Sequence, residues 1–157
     1  MRADSYILPE CLVKPGSFGG LMALYEANFI KLNQLVPDLV NCAGGGISVA
    51  IDDFDLHLVV ESQARYTFEL RLTYFFADSV TGYVAEPDLL AKVYFDARMV
   101  EVAGWRHARR HHMLRELGLS FERPLDQYWV RNNMLSKWLD YLLDQGHQFR
   151  PESFVSS

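Results

Sequence analysis

The chain has 157 residues, half of them hydrophobic, with 10 Phe, 8 Tyr and 3 Trp, and a formal net charge of −5. This length and apolar content specify one folded domain over residues 1–157 and exclude an intrinsically disordered chain. The mildly acidic balance excludes wholesale nucleic-acid binding, which needs a basic domain, and two cysteines, Cys11 and Cys42, are too few for a disulfide framework.

Lone cysteines of this kind read as reduced thiols in a cytoplasmic protein. The N-terminal stretch MRADSYILPECLVK has neither a long apolar core nor a small-residue cleavage site, so no signal peptide is expected. No apolar run approaches the roughly 18 residues of a membrane span.

Residues 1–16, interrupted by Pro9 and Pro15, read as an irregular arm. Ser17 is placed to cap a helix. Behind it Leu21, Leu24, Tyr25, Asn28, Leu32, Leu35 and Val36 recur at helical spacing until Pro37, and Asn28 is the polar member of that stripe. Gly44-Gly45-Gly46 predicts a flexible connection.

The period then changes to two. Ile47, Val49 and Ile51 alternate with Ser48 and Ala50; Leu56, Leu58 and Val60 alternate with His57, Val59 and Glu61; Tyr66, Phe68, Leu70, Leu72 and Tyr74 alternate with Thr67, Glu69, Arg71 and Thr73. Asp52-Asp53-Phe54 is a turn, which accounts for Asp52, Asp53 and Asp55 without a cation site. Asp78 to Asp88, with Gly82 and Pro87, reads as a loop. Leu90 to Phe95 and Met99 to Trp105 form the last strand pair around Asp96-Ala97-Arg98.

His111 to Leu117 suits one or two helical turns ended by Gly118. Pro124 stands near the start of the final helix, with Asp126 as its cap. Its apolar stripe is Leu135, Trp138, Leu139 and Leu142, extended by Arg131 and Met134, and Gly146 fits the position just past its end. Residues 147–157 are expected to fray. The predicted fold is α+β: a five-stranded antiparallel meander with an N-terminal and a C-terminal helix packed on one face.

The one unusual stretch is WRHARRHH, residues 105–112. Its histidines lack the Cys, Asp or Glu companions that would complete a tetrahedral zinc site, and His57 and His147 are too isolated to help. No recognition helix, RNP motif or GXXG loop accompanies it, so nucleic acid is not the expected partner. Arg106, Arg109 and Arg110, with His111, suit weak contact with an anion such as a phosphorylated small molecule. The competing reading is solvated surface, with arginine stems lying over apolar groups. Glu61 and Arg65 flank a hairpin turn and are expected to pair across it. No G-x-S-x-G, P-loop or H-E-x-x-H is present, so the sequence nominates no catalytic residue, no cofactor and no metal.

LYEANFIKLNQLVP (24–37), VVESQARYT (59–67), VYFDARMVEV (93–102) and DQYWVRNNMLSKWLDYLLDQG (126–146) together resemble the YqiB-like family, a bacterial domain of unknown function. The resemblance runs from about Leu21 to Gly146. Gln127 and Tyr128 stand where the family carries acidic and basic residues. The resemblance implies a bacterial cytoplasmic setting and directs attention to Asn28, Glu61, Tyr66, Glu101 and Asn132. With Arg65, these polar groups either tie helices to strands or line a pocket between them. The sequence thus leads to a non-enzymatic interaction or regulatory module, whose partner is another protein or, alternatively, a phosphorylated small molecule or nucleotide.

Overall fold

The computed structural model describes residues 17–42, 44–78, 82–106 and 124–154. The N-terminal arm and the helical turns expected near His111 lie outside them. The order is α1 (Phe18–Leu35), β1 (Gly45–Ser48), β2 (Leu56–Gln63), β3 (Thr67–Asp78), β4 (Gly82–Tyr94), β5 (Met99–Arg106) and α2 (Pro124–Asp144), with short 3₁₀ turns at Leu39–Asn41 and Pro151–Ser153. The strands form one antiparallel sheet in the order β1-β2-β3-β4-β5, the meander expected from the alternating pattern.

α1 begins where the sequence signals it. The Ser17 hydroxyl accepts the Gly20 N–H at 3.0 Å, and Val36, just before Pro37, closes the helix by donating to the Leu32 carbonyl. Leu21, Tyr25, Asn28, Leu32 and Leu35 face inward. At the far end of α2, Gly146 takes φ 90°; its N–H reaches the Leu143 carbonyl, and the His147 N–H reaches that of Leu142. Those two bonds are a Schellman motif, and glycine occupies the left-handed position it requires. Asp126 lies inside the first turn of α2 rather than at the capping position expected for it, because the helix already begins at Pro124. Arg131 is exposed rather than part of the apolar stripe.

Among the described residues the core forms one cluster. Leu56 and Leu58 of β2, Phe68, Leu70, Leu72 and Tyr74 of β3, Leu89, Ala91 and Val93 of β4, and Val100 and Val102 of β5 meet Leu32 and Leu35 of α1 and Leu135, Leu139 and Leu142 of α2. Tyr66, expected on this inner face, precedes β3 and is half exposed.

Three expectations are corrected. First, residues 82–88 are strand, not loop. Pro87 is accommodated because the β3–β4 register shifts between Thr73↔Asp88 and Phe75↔Ala85, leaving Pro87 outside the ladder with its carbonyl accepting from the Thr73 hydroxyl at 2.7 Å. Second, Gly45 and Gly46 belong to β1 instead of a flexible link. A Cβ on Gly45 would lie 2.3 Å from the Leu58 carbonyl oxygen, and one on Gly46 would lie 2.5 Å from that of Ser153, so only glycine permits these approaches. Third, the chain from His147 to Phe154 does not fray. His147 and Phe149 are buried, the Phe149 N–H donates to the Leu35 carbonyl at 2.8 Å, and Phe154 bridges to Gly46. Removing a phenylalanine side chain from water is worth about 1.5–3 kcal/mol, enough to hold so short a segment once α2 delivers it.

Candidate functional site

The C-terminal segment ends up beside β1 and the turn that follows it. There a chain of side-chain hydrogen bonds runs inward from the surface. Ser48 Oγ lies 3.0 Å from His147 Nδ1, and His147 Nε2 lies 2.9 Å from Asp53 Oδ2. The Tyr74 hydroxyl donates to the same Asp53 oxygen at 2.6 Å, while the Gln148 N–H donates to Ser48 Oγ at 3.0 Å. One proton arrangement satisfies every group: Ser48 donates to Nδ1 and the Nε2–H donates to Asp53. The Tyr74 ring meets Trp138 edge-on at 5.6 Å, so the network is wedged into the core.

Burial alone would raise the Asp53 carboxyl above its ordinary range. The hydrogen bonds from Tyr74, His147 and the Phe54 backbone overcome that and hold it below its usual value. Burial, reinforced by the neighbouring Asp53 carboxylate, pushes the Tyr74 phenol well above its ordinary value.

Ser48, His147 and Asp53 have the connectivity of a nucleophile relay, but the chemistry is blocked. Ser48 is 2% exposed and already accepts the Gln148 N–H. A serine nucleophile needs an open approach to a substrate carbonyl, which this burial denies Ser48. The network is therefore an anchor: it pins the turn after β1 to the chain after α2.

That anchor has a consequence for β1. Ser48 and Ala50 turn inward, at 2% and 8% exposure, whereas Ile47, Val49 and Ile51 turn outward at 40%, 71% and 99%. This stretch, of which Ile47 and Ser48 end β1 and Val49 to Ile51 follow it into the turn, is inside out with respect to its own hydrophobicity. In β-structure a shift of one residue exchanges the two faces. Here the Ser48–His147 bond and the close packing of Gly45 and Gly46 fix the choice that exposes the apolar row. Phe54, 55% exposed, leans its ring against Tyr74 at 5.9 Å between centroids, while Val59, Cα partner of Gly45, adds a further partly exposed apolar group from β2.

The polar residues singled out by sequence occupy other places. Asn28 and Asn132 come together as structural ties. Asn28 Nδ2 donates to the Asn132 carbonyl at 3.1 Å, Asn132 Nδ2 donates to the Tyr128 carbonyl at 2.8 Å, and Asn132 Oδ1 accepts the Val102 N–H at 2.8 Å. The last bond satisfies a backbone donor on β5, an edge of the sheet. Asn28 Oδ1 is buried and, among the described residues, has no hydrogen-bond partner. Glu61 pairs with Arg71 of β3 at 3.4 Å, while Arg65 lies over the Tyr66 ring, 5.1 Å from its centroid. The expected Glu61–Arg65 pairing gives way because β2 runs to Gln63 with a register shift beside Glu61, which carries that side chain toward Arg71. Arg71 also approaches Asp88 at 3.5 Å. Glu101 accepts a short hydrogen bond from the Tyr94 hydroxyl.

Of the basic stretch, Arg106 ends β5 with its Cα opposite that of Asp88; Arg109, Arg110 and His111 lie outside the described residues. Among the described residues no three His, Cys, Asp or Glu gather as a metal site. Cys42 is buried, and that burial, aided by Asp38, pushes its thiol up to about 11, far from the range of a reactive cysteine.

Sequence reasoning missed Ser48, Asp53 and His147, and with them the outward apolar row. No helix among the described residues is long and apolar enough to cross a membrane. No curated protein and no solved structure matches the chain. The family model described as "Protein of unknown function (DUF1249)" matches residues 31–148, from the second half of α1 to the residue beyond His147, and the chain belongs to that family.

Proposed function

We propose that this domain is a non-enzymatic protein-interaction module whose partner, another protein, is gripped by the row Ile47, Val49 and Ile51 together with Phe54. The observation that carries this reading is the inverted pattern of exposure over residues 47–51. Ser48 and Ala50 are buried while Ile47, Val49 and Ile51 stand at 40%, 71% and 99% exposure, the reverse of what their hydrophobicity favours. Contiguous exposed apolar groups mark interaction surfaces, whereas scattered ones do not. The surface is also pre-organised, because the Asp53–His147–Ser48 network fixes the backbone that carries it, and a rigid epitope loses little entropy on binding.

The alternative, a phosphorylated ligand at Arg106, Arg109, Arg110 and His111, gains nothing from the register, which gives Arg106 the carboxylate-bearing Asp88 as its cross-strand neighbour. The test is photo-crosslinking in the protein's own cells. With p-benzoylphenylalanine at position 49, a discrete protein adduct is expected; at Lys137, exposed on α2, none is expected. Equal labelling at both positions, or none at either, would overturn the reading.

A further inference from the structure

We infer that the protein received by this surface presents an apolar cleft bordered by lysine and arginine; this rests on the interaction reading above and names the chemistry of its partner. The apolar row does not stand in neutral surroundings. Residues 38–64 contain Asp38, Asp52, Asp53, Asp55 and Glu61 and no lysine or arginine. Asp53 is turned inward to His147 and Tyr74, so its neighbours Asp52 and Asp55 are the carboxylates left exposed on either side of Phe54, with Ile51 beside them.

Among the described residues, the cations nearby have partners of their own. Arg71, whose Cα is partnered with Val59, lies within ion-pair distance of Glu61 and Asp88. Lys31 is held by Asp140, and Arg150, on the segment that crosses β1, donates to the Gln148 side chain. The epitope is therefore an exposed apolar knob, Ile51 and Phe54, with a negative rim. Anchors of this kind insert into clefts, and a rim of opposite charge guides and orients the encounter.

A second copy of this chain is the wrong occupant. Knob-to-knob contact related by a twofold would bring Asp52 and Asp55 of both copies together as apolar groups excluded water, where like charges repel most strongly. A basic-rimmed partner turns the same desolvation into attraction.

The experiment keeps p-benzoylphenylalanine at position 49 and varies the rim. Asp52→Glu with Asp55→Glu retains the heterologous adduct, Asp52→Asn with Asp55→Asn weakens it, and Asp52→Lys with Asp55→Lys abolishes it. Glu26→Lys, an equal charge change on the exposed side of α1, leaves it intact. Thermal melts of the purified variants show that each remains folded, as expected for exposed positions. An adduct insensitive to the lysine pair overturns the basic-cleft inference while leaving the interaction module standing. An adduct with the mass of two copies of this chain overturns it in favour of self-association. Absence of any adduct removes both readings.

Discussion

Ser48 and His147 are separated by 99 positions in the chain and by 3.0 Å between Oγ and Nδ1. Each is buried, and each completes the hydrogen bonding of the other. Ser48→Ala leaves two buried groups, Nδ1 of His147 and the Gln148 N–H, without their partner. Stranding buried polar groups costs about 1–3 kcal/mol. For a domain of this size that lowers the melting temperature by about 2–12 °C, at roughly 2–4 °C per kcal/mol. Urea titration followed by tryptophan fluorescence reads the change as a lower midpoint with an unchanged slope. An unaltered midpoint means that the bond contributes nothing and that the register of β1 is set by other contacts.

The Asp53 carboxyl gives the network a pH signature. Its folded value is held below the ordinary 3.8. A depressed carboxyl contributes stability that is fully present above its unfolded pKa and is lost as the pH falls through the folded one. The stability gap between the native protein and Asp53→Asn is therefore expected to be constant from pH 7 to about pH 5 and to close as the pH drops below 3.8. Denaturant titrations of both proteins at a series of pH values measure the gap. A gap that stays constant down to the acid transition contradicts the assigned role of the carboxylate.

These two residues also show where reading the sequence reached its limit. α1 was legible because its signals are local: a Ser17 cap, apolar groups three and four apart, and Pro37 as a stop. The end of α2 was legible because Gly146 is the residue a left-handed cap needs. β2 and β3 were legible because their alternation matches their burial, with Leu56, Leu58, Leu70 and Leu72 all inward. β1 has the same alternation and faces the other way. Its orientation depends on a partner nearly a hundred residues distant, and local hydrophobicity has no access to that. His147 and Phe149 looked like a loose end for the same reason. Their burial depends on the Schellman turn aiming the chain back at Leu35. Asn28 and Asn132 were recognised as polar groups on inner faces, but nothing in the order of residues indicated that Asn132 would serve the Val102 N–H on the edge of the sheet.

The two asparagines should not respond alike to replacement. Asn132→Ala removes the acceptor of the Val102 N–H and the donor to the Tyr128 carbonyl, stranding a buried backbone donor on β5. Asn28→Ala removes one bond, to the Asn132 carbonyl, and at the same time deletes Oδ1, which among the described residues has no partner to lose. Both create a small cavity of similar size. The difference is then one of hydrogen bonding, and Asn132→Ala is expected to be the more destabilising by about 1–2 kcal/mol. Equilibrium denaturation of the two variants side by side decides it. Amide hydrogen exchange gives a second measure, since Val102 should lose protection in Asn132→Ala and keep it in Asn28→Ala. Equal costs would mean that the edge of β5 is secured by something other than this side chain.

The apolar row allows stability and binding to be separated. Ile51 is 99% exposed and Val49 is 71% exposed, so Ile51→Ser and Val49→Ser remove almost no buried surface. Surface substitutions of this kind stay within about 0.5 kcal/mol of the parent. Ser48→Val makes the opposite change: it raises hydrophobicity at a strand position and so improves the local pattern, yet it places a methyl group where Gln148 and His147 require an oxygen. It is expected to cost at least as much as Ser48→Ala, because the hydrogen bonds are lost and the branched side chain must also be fitted into a packed site. The ranking of midpoints should therefore run against hydrophobicity, with Ile51→Ser and Val49→Ser near the parent and Ser48→Val well below it. If Ile51→Ser proves as damaging as Ser48→Val, the side chain at 51 belongs to the interior, and its outward placement beyond β1 is wrong.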